Sequence, residues 1–561
     1  MAARTGMRLG RWLARIALVA ASMVGLLITA AAPALAHAEL EGTTPVAESV
    51  LHASPRLITL TFDEGVFPAA DAIRLYDDRL AAVAVGTTFH PHGVGKLVAA
   101  PVPETLAAGT YTVVWRVTSD DGHVVAGQFV FSVGHRTPVS GVPPGTRHDT
   151  TTSVLAAVAR GLGYVGLVTG PGALVVMAWL WPGGFARRRI RLLLGGGGLM
   201  IVIASALAVW VQGAAAAGVS VGHALNGADL RLGMAGHFGR AIAGRFVLLM
   251  VLLWLTVTGW RSDGSGGTAS GPGVPARRVS VASAGLAAMW PFAGHADVGA
   301  LVPLAFVADW VHVAAMATWL GGLAVLLVGP LARSRGGDEL RETVPVLASF
   351  SEWALNAVTL LVATGLFAAW RNLRSFGALP ATHYGRLLLW KSGVVVLVLV
   401  VARLSRRQAE DPDRTGDATL PLLRRSVFAE AGGAAVILAI TAFLTGTAPG
   451  AQTYAPAVTR SATDNGVTVT LHVSRTGIGP ARVLVTTTRG AGPQAITSID
   501  GSLSELDPPV GPLPVVFHAG GPGREVATLT FPTAGDWSLA VDVSTSPTNR
   551  IAVATTIRVR G

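Results

Sequence analysis

Hydrophobic and polar positions along this 561-residue chain follow three rhythms. Between residues 37 and 134 apolar and polar residues alternate in short runs, as in Ile58-Thr59-Leu60-Thr61-Phe62 and Tyr111-Thr112-Val113-Val114-Trp115. A period of two predicts the strands of an N-terminal β-sandwich. From 153 to 447 the alternation gives way to long apolar stretches at roughly 154–181, 190–216, 241–260, 279–293, 298–329, 345–370, 384–404 and 425–446. Each is read as a membrane-spanning helix, since about 20 apolar helical residues cross the hydrocarbon core, and together they predict an eight-helix α-helical transmembrane bundle. The fourth stretch is the shortest and contains Trp290-Pro291. From 455 to 561 the two-residue period returns, in Val467 to Leu471, Val526 to Phe531 and Trp537 to Val543, and predicts a C-terminal β-sandwich. Residues 135–152, rich in Pro, Gly and Thr, read as a linker. Residues 1–36 read as a signal peptide: four arginines (Arg4, Arg8, Arg11, Arg15), an apolar run from Ile16 to Leu27, and small residues at Ala34 and Ala36 before His37.

Composition agrees with a multi-domain membrane protein, at 51% hydrophobic and 13% charged residues. The net charge of +11 would suit nucleic acid, but the positions of the arginines point elsewhere. They cluster in alternate loops: Arg187, Arg188, Arg189 and Arg191; Arg261, Arg277 and Arg278; Arg333, Arg335 and Arg341; Arg403, Arg406, Arg407, Arg414, Arg424 and Arg425. The intervening loops carry chiefly Arg231, Arg240, Arg371 and Arg374. By the positive-inside rule this places a multi-pass protein in the cytoplasmic membrane, with both ends of the mature chain outside. The lipid bilayer is then a partner and nucleic acid is not. Cysteine is absent, so metal ligation has to use His, Met, Asp or Glu.

Cleavage after Ala36 would leave His37 as the first residue. A free amine and the Nδ1 of the same residue close a chelate ring on one metal, a nitrogen pair suited to tetragonal Cu(II). Asp121-Gly122-His123 can supply the remaining donors, because residues two apart in an extended segment point to the same side. Alone, an Asp-x-His is more often a solvated loop. Here it accompanies His37-Ala38-Glu39-Leu40, Pro45, Ile58 to Asp63, Gly109 to Val117 and Ser119 to Val133. Over roughly residues 37–134 these segments resemble the CopC family of periplasmic copper-binding proteins. By position, the resemblance implies Cu(II) ligands at His37, Asp121 and His123. Some members add a methionine-rich Cu(I) site, yet no Met occurs between Met23 and Met177, so Cu(II) alone is expected in this domain.

Ionisable residues inside spans are costly and mark functional candidates. In the fifth stretch Asp309, His312, Met316 and Trp319 are spaced three, four and three apart, which aligns them along one helical stripe. At ~1.5 Å per residue the first two lie about 15–22 Å from the outer end, near the midplane where transporters bind ions. An Asp–His pair that locks helices together is the structural alternative. His295 in Gly294-His295-Ala296 precedes the helix. With Asp309, His312, Trp319-Leu320-Gly321-Gly322, Thr364-Gly365, Tyr384 to Lys391 and Glu430, it makes residues 154–446 resemble the CopD family of copper-resistance membrane proteins. The resemblance implies copper movement across the inner membrane, and the order of the two regions matches known fusions. Glu352, Asn356, Lys391 and Glu430 read chiefly as interhelical ion pairs or hydrogen bonds. His223 and His237 flank an outer loop and read equally as entry ligands or as interfacial residues.

The expectation is a non-enzymatic protein that captures Cu(II) outside and carries copper ions through the membrane by way of His295, Asp309, His312 and Met316. Extracytoplasmic copper-donor proteins are partners that such a role admits. Three other readings remain: a haem-binding redox protein, a copper chaperone or sensor without transport, and a copper oxygenase. The oxygenase is disfavoured because Asp121 would occupy the plane where oxygen binds.

Overall fold

The computed structural model describes residues 38, 40–119, 124–137, 150–261, 275–294, 301–333, 337–409, 419–477, 479–506, 509–531, 535–546 and 549–559. The expected signal peptide, His37, Asp121, His123 and His295 lie outside the described residues. The chain divides into two compact units, residues 1–371 with 387–447, and residues 372–386 with 448–561.

In the first unit, eight strands form two facing sheets: β1 (Leu40–Thr44), β2 (Val50–Leu51), β3 (Leu57–Phe62), β4 (Val66–Tyr76), β5 (Ala82–Val83), β6 (Leu97–Pro101), β7 (Gly109–Ser119) and β8 (Val124–Val133). One sheet runs β1-β3-β6 and the other β2-β8-β7-β4-β5. Their inner faces bury Ile58, Leu60 and Phe62 against Val113, Trp115, Val117, Phe129 and Phe131, the alternating apolar positions of the sequence. Trp115 meets Phe62 edge-on with ring centroids 5.4 Å apart. Opposite it on β8 sits Gly127, where a Cβ would fall 2.5 Å from Trp115 Cζ2. Glycine is what lets the indole lie flat across the sheet.

Among the described residues seven helices are long and apolar enough to cross a membrane, and they match seven of the eight predicted stretches. The first span comprises α1 (Thr150–Leu167), a π-helical turn at Val168–Gly172 containing Pro171, and α2 (Ala173–Leu180). There follow α3 (Arg188–Ala217), α4 (Gly236–Arg261), α5 (Ala276–Ala288), α6 (Val302–Val328), α7 (Gly337–Leu373), α8 (His383–Ala409) and α9 (Thr419–Leu444). The predicted span at 279–293 is α5, which has 13 residues and is about 20 Å long, short of the ~30 Å hydrocarbon core. It stops because Pro291 has no N–H to offer Ala287; the Ala287 carbonyl is taken instead by the Trp290 N–H at 3.2 Å, and a 3₁₀ turn, Pro291–Ala293, follows. The helix is still part of the core, with Val279, Ala282 and Leu286 packed among Leu249, Leu252, Leu255 and Ala317. Buried Arg245 of α4 donates to the Met289 carbonyl at 3.2 Å and stacks on Trp290 at 4.1 Å.

The first span and α6 meet backbone to backbone. A Cβ on Gly172 would fall 2.6 Å from the Ala317 carbonyl carbon, and one on Gly321 would lie 2.5 Å from Ala173 N. On its other side α6 packs through side chains, with Phe350 of α7 lying against Gly322. Arg116 of β7 donates to Ala215 O at 3.4 Å, in the last turn of α3. Burial holds this guanidinium below its ordinary pKa, and neighbouring Arg74 acts in the same direction.

The second unit is mostly β. One sheet has the order β15-β16-β11-β10-β9 with β12 on β11, from β9 (Val458–Asp464), β10 (Val467–Val473), β11 (Gly479–Arg489), β12 (Gly492–Pro493), β15 (Phe517–Gly521) and β16 (Arg524–Phe531). The other runs β14-β13-β17-β18, from β13 (Ser498–Leu506), β14 (Pro509–Val515), β17 (Gly535–Ser546) and β18 (Asn549–Val559). Val469, Leu471, Val483, Phe531, Trp537, Leu539, Val541 and Val553 share its core. Within this unit Asn372 donates to Tyr384 Oη at 3.1 Å.

Candidate metal-binding sites

The described strands bring the flanks of the outer site together. Leu40 at the start of β1 pairs with Phe62 at the end of β3, and Val66, four residues on, pairs with Ser119 at the end of β7. Thr118 pairs with Val124 across the β7–β8 connection. The start of β1, the end of β7 and the start of β8 therefore sit at the same end of the sandwich. His37 is three residues from Leu40, a reach of about 10 Å. Ala38 between them is buried in the core at 3% exposure, which ties the segment down. Amine, imidazole and carboxylate donors with no thiolate form a set that fits Cu(II).

The membrane candidates lie on α6. This helix starts at Val302 behind Leu301, whose φ of 62° breaks the helix, so Asp309 and His312 are seven and ten residues in, about 10 and 15 Å. That is shallower than the apolar stretch alone implied. Both are half-buried. His312 Nδ1 lies 2.8 Å from Thr364 Oγ1 on α7, and the imidazole rests on Gly365, whose Cβ, if present, would be 3.5 Å from His312 Cε1. Lys391 of α8 acts electrostatically on both Asp309 and His312, and Arg371 of α7 acts on Asp309. Asp309 and Arg245 both act on buried Tyr164, whose hydroxyl donates to Thr445 Oγ1 at 3.4 Å. Asp309 and His312 of the predicted stripe thus share a polar environment drawn from several helices.

Other sequence candidates separate from it. Met316 packs against two hydrophobic clusters and Trp319 is buried in one of them. Glu430 is buried, accepting from Ser426 Oγ one turn earlier at 3.2 Å, while Glu352 and Asn356 are exposed. His223 lies 2.8 Å from Ser220 Oγ through its Nδ1, and the His237 ring is 5.4 Å from Phe292. Among the described residues no group of three or more His, Cys, Asp or Glu has metal-holding geometry. The sequence reading noticed Thr364 and Lys391 without giving either a place beside His312. A lone threonine or lysine in an apolar run carries no local signal of its partner on another helix.

Residues 40–134 match the family model of the CopC domain, and residues 344–444 match that of Copper resistance protein D. Among curated proteins, Copper transport protein CutJ of Bacillus subtilis is 26% identical over 453 residues, covering 78% of this chain and 79% of that protein. Protein YobA of Escherichia coli is 34% identical over 98 residues, 18% of this chain and 79% of the relative. Copper resistance protein C of Xanthomonas campestris pv. juglandis is 32% identical over 123 residues, 21% of this chain and 91% of the relative.

Proposed function

We propose that this chain, which belongs to the copper-resistance family and joins a CopC domain to a CopD membrane domain, captures Cu(II) outside the cytoplasmic membrane and passes copper ions through its helical bundle. What supports the reading is the pair of family matches, one over the sandwich and one over helices that share a core with α6. The CopC match covers the sandwich in which the start of β1, the end of β7 and the start of β8 share one end. The CopD match contains Thr364 and Lys391, which surround His312 and Asp309 of α6.

In this reading His37, through its amine and Nδ1, together with Asp121 and His123, holds Cu(II) in the exported domain. In the membrane, Asp309 and His312 form the polar step, with His295 before them and Met316 beyond. Lys391 acts electrostatically on both Asp309 and His312 and so belongs to the same polar environment. Both termini of the mature chain lie outside, which requires the chain between α4 and α6, with α5 in it, to make an eighth crossing. The role is binding and transport of a metal ion; copper is cargo, and no covalent chemistry is invoked.

The test is accumulation of radioactive copper by cells with and without the gene, and with His312→Leu. An apolar replacement suits a span, so His312→Leu should insert normally and lose the copper difference that the parent produces. Cells in which a well-inserted His312→Leu protein moves copper as the parent does would remove His312 from the pathway.

A further inference from the structure

We infer that Thr364 is the positioning residue that fixes the tautomer of His312, so that Nε2 is the atom offered to an ion in the bundle. The Thr364 hydroxyl has a single proton. Thr364 Oγ1 lies 2.6 Å from the Leu360 carbonyl of its own helix and 3.4 Å from that of Leu361, the back-bonding geometry of a helical threonine. Carbonyl oxygens only accept, so the single hydroxyl proton of Thr364 is committed to Leu360. The same oxygen lies 2.8 Å from His312 Nδ1. Were Nδ1 a bare lone pair, two acceptors would face each other across that distance. Nδ1 therefore carries the hydrogen and donates to Thr364 Oγ1, which leaves the lone pair of the neutral ring on Nε2.

Gly365 completes the arrangement. The Cε1 edge of the ring lies beside the bare Cα of this glycine, where a methyl would stand 3.5 Å from Cε1, so α7 leaves room for the imidazole next to Thr364. A chain of carbonyl, hydroxyl and ring N–H orienting one ring nitrogen is how proteins present histidine to a metal: the hydrogen bond at one nitrogen decides which atom ligates. The inference deepens the copper reading of His312 and rests on it for the identity of the ion; the tautomer itself does not.

The experiment uses the full chain in lipid bilayers with 15N-labelled histidine side chains, the His312 signal being assigned by its loss in His312→Gln. Nitrogen shifts distinguish the two neutral tautomers directly. The expected result is an Nδ1–H ring in the parent and in Thr364→Ser, which keeps the hydroxyl, and an Nε2–H ring or a mixture in Thr364→Val, which keeps the shape but removes the acceptor. An Nε2–H ring in the parent, or an Nδ1–H ring unchanged in Thr364→Val, would overturn the assignment. Copper accumulation in the same variants reads the other half: Thr364→Ser should retain it and Thr364→Val should lose at least half. If the tautomer switches in Thr364→Val while copper accumulation stays at the parental level, the positioning role stands as chemistry and the copper role of His312 falls.

Discussion

Replacing Gly127 with alanine should destabilise the exported sandwich by an amount that its geometry sets. The new methyl would sit 2.5 Å from Trp115 Cζ2 and 2.8 Å from Cε2, against ~3.5–4 Å for comfortable carbon contacts. The indole has to retreat by about 1 Å. Its way is blocked by Phe62, which is fully buried and already in edge contact with it. Overpacking of this kind costs about 1–3 kcal/mol. At about 4–8 °C per kcal/mol for a domain of this size, the melting temperature should fall by roughly 5–20 °C. The assay is thermal unfolding of residues 37–137 followed by circular dichroism. That segment includes Thr137, whose N–H donates to Thr110 Oγ1 at 2.8 Å while its own hydroxyl accepts from Thr110 N–H at 2.9 Å, and the Xanthomonas relative consists largely of this domain. Gly65→Ala is the control, since nothing lies within 4 Å of its Cβ position. Trp115→Phe in the Gly127→Ala background removes the obstructed atoms, so the two changes together should cost less than their sum. A fall under about 2 °C for Gly127→Ala, or strict additivity with Trp115→Phe, would refute the packing argument.

Three further outcomes are expected. One extra residue before His37 should move the free amine away and weaken Cu(II) affinity of the exported domain at least ~10-fold by titration; equal affinity would exclude the terminal chelate. Reporter fusions after Arg335 and after Arg414 should report cytoplasm and one after Thr447 the exterior; a cytoplasmic signal after Thr447 would mean that α5 does not carry the chain across. Glu48 in the exported domain has its pKa raised by burial, with Arg136 opposing in part. A raised carboxyl favours the folded state when protonated, so its contribution to stability is lost as pH rises through the glutamate range. Glu48→Gln should therefore melt higher than the parent at pH 7 and equally at pH 3, and the reverse order would show that the pairing with Arg136 dominates.

Most of the architecture was legible because both rhythms have short-range causes. The period of two in Ile58 to Phe62 and Val467 to Val473 became alternately buried strands, and the apolar runs became helices with ends within a few residues of those expected. Two misreadings share one reason: hydropathy sums composition and does not see where a backbone stops. Pro291 ends α5, and Leu301 in the left-handed region delays the start of α6, which makes His312 shallower. Residues 372–386 join the C-terminal unit although they lie between two spans in sequence, a long-range choice with no local trace. In the candidate site, the stripe of Asp309 and His312 followed from helical spacing. Met316 did not separate from core packing until its neighbours were known. Thr364 became meaningful only once the two oxygens and one nitrogen around its single proton were placed.

The glycine contact between the first span and α6 has a mechanical consequence. Peptide planes that touch at Gly172, Ala173, Ala317 and Gly321 have no side chains between them to repack, so those two elements behave as one rigid post. On the opposite face α6 meets α7 through side chains: Leu320 and Leu323 share a core with Phe350, Ala354 and Val358, Ala305 and Ala308 pack with Phe367, and His312 is hydrogen-bonded to Thr364. Asp309 and His312 ride on the post, whereas Thr364 and Lys391 belong to helices joined to it by side chains alone.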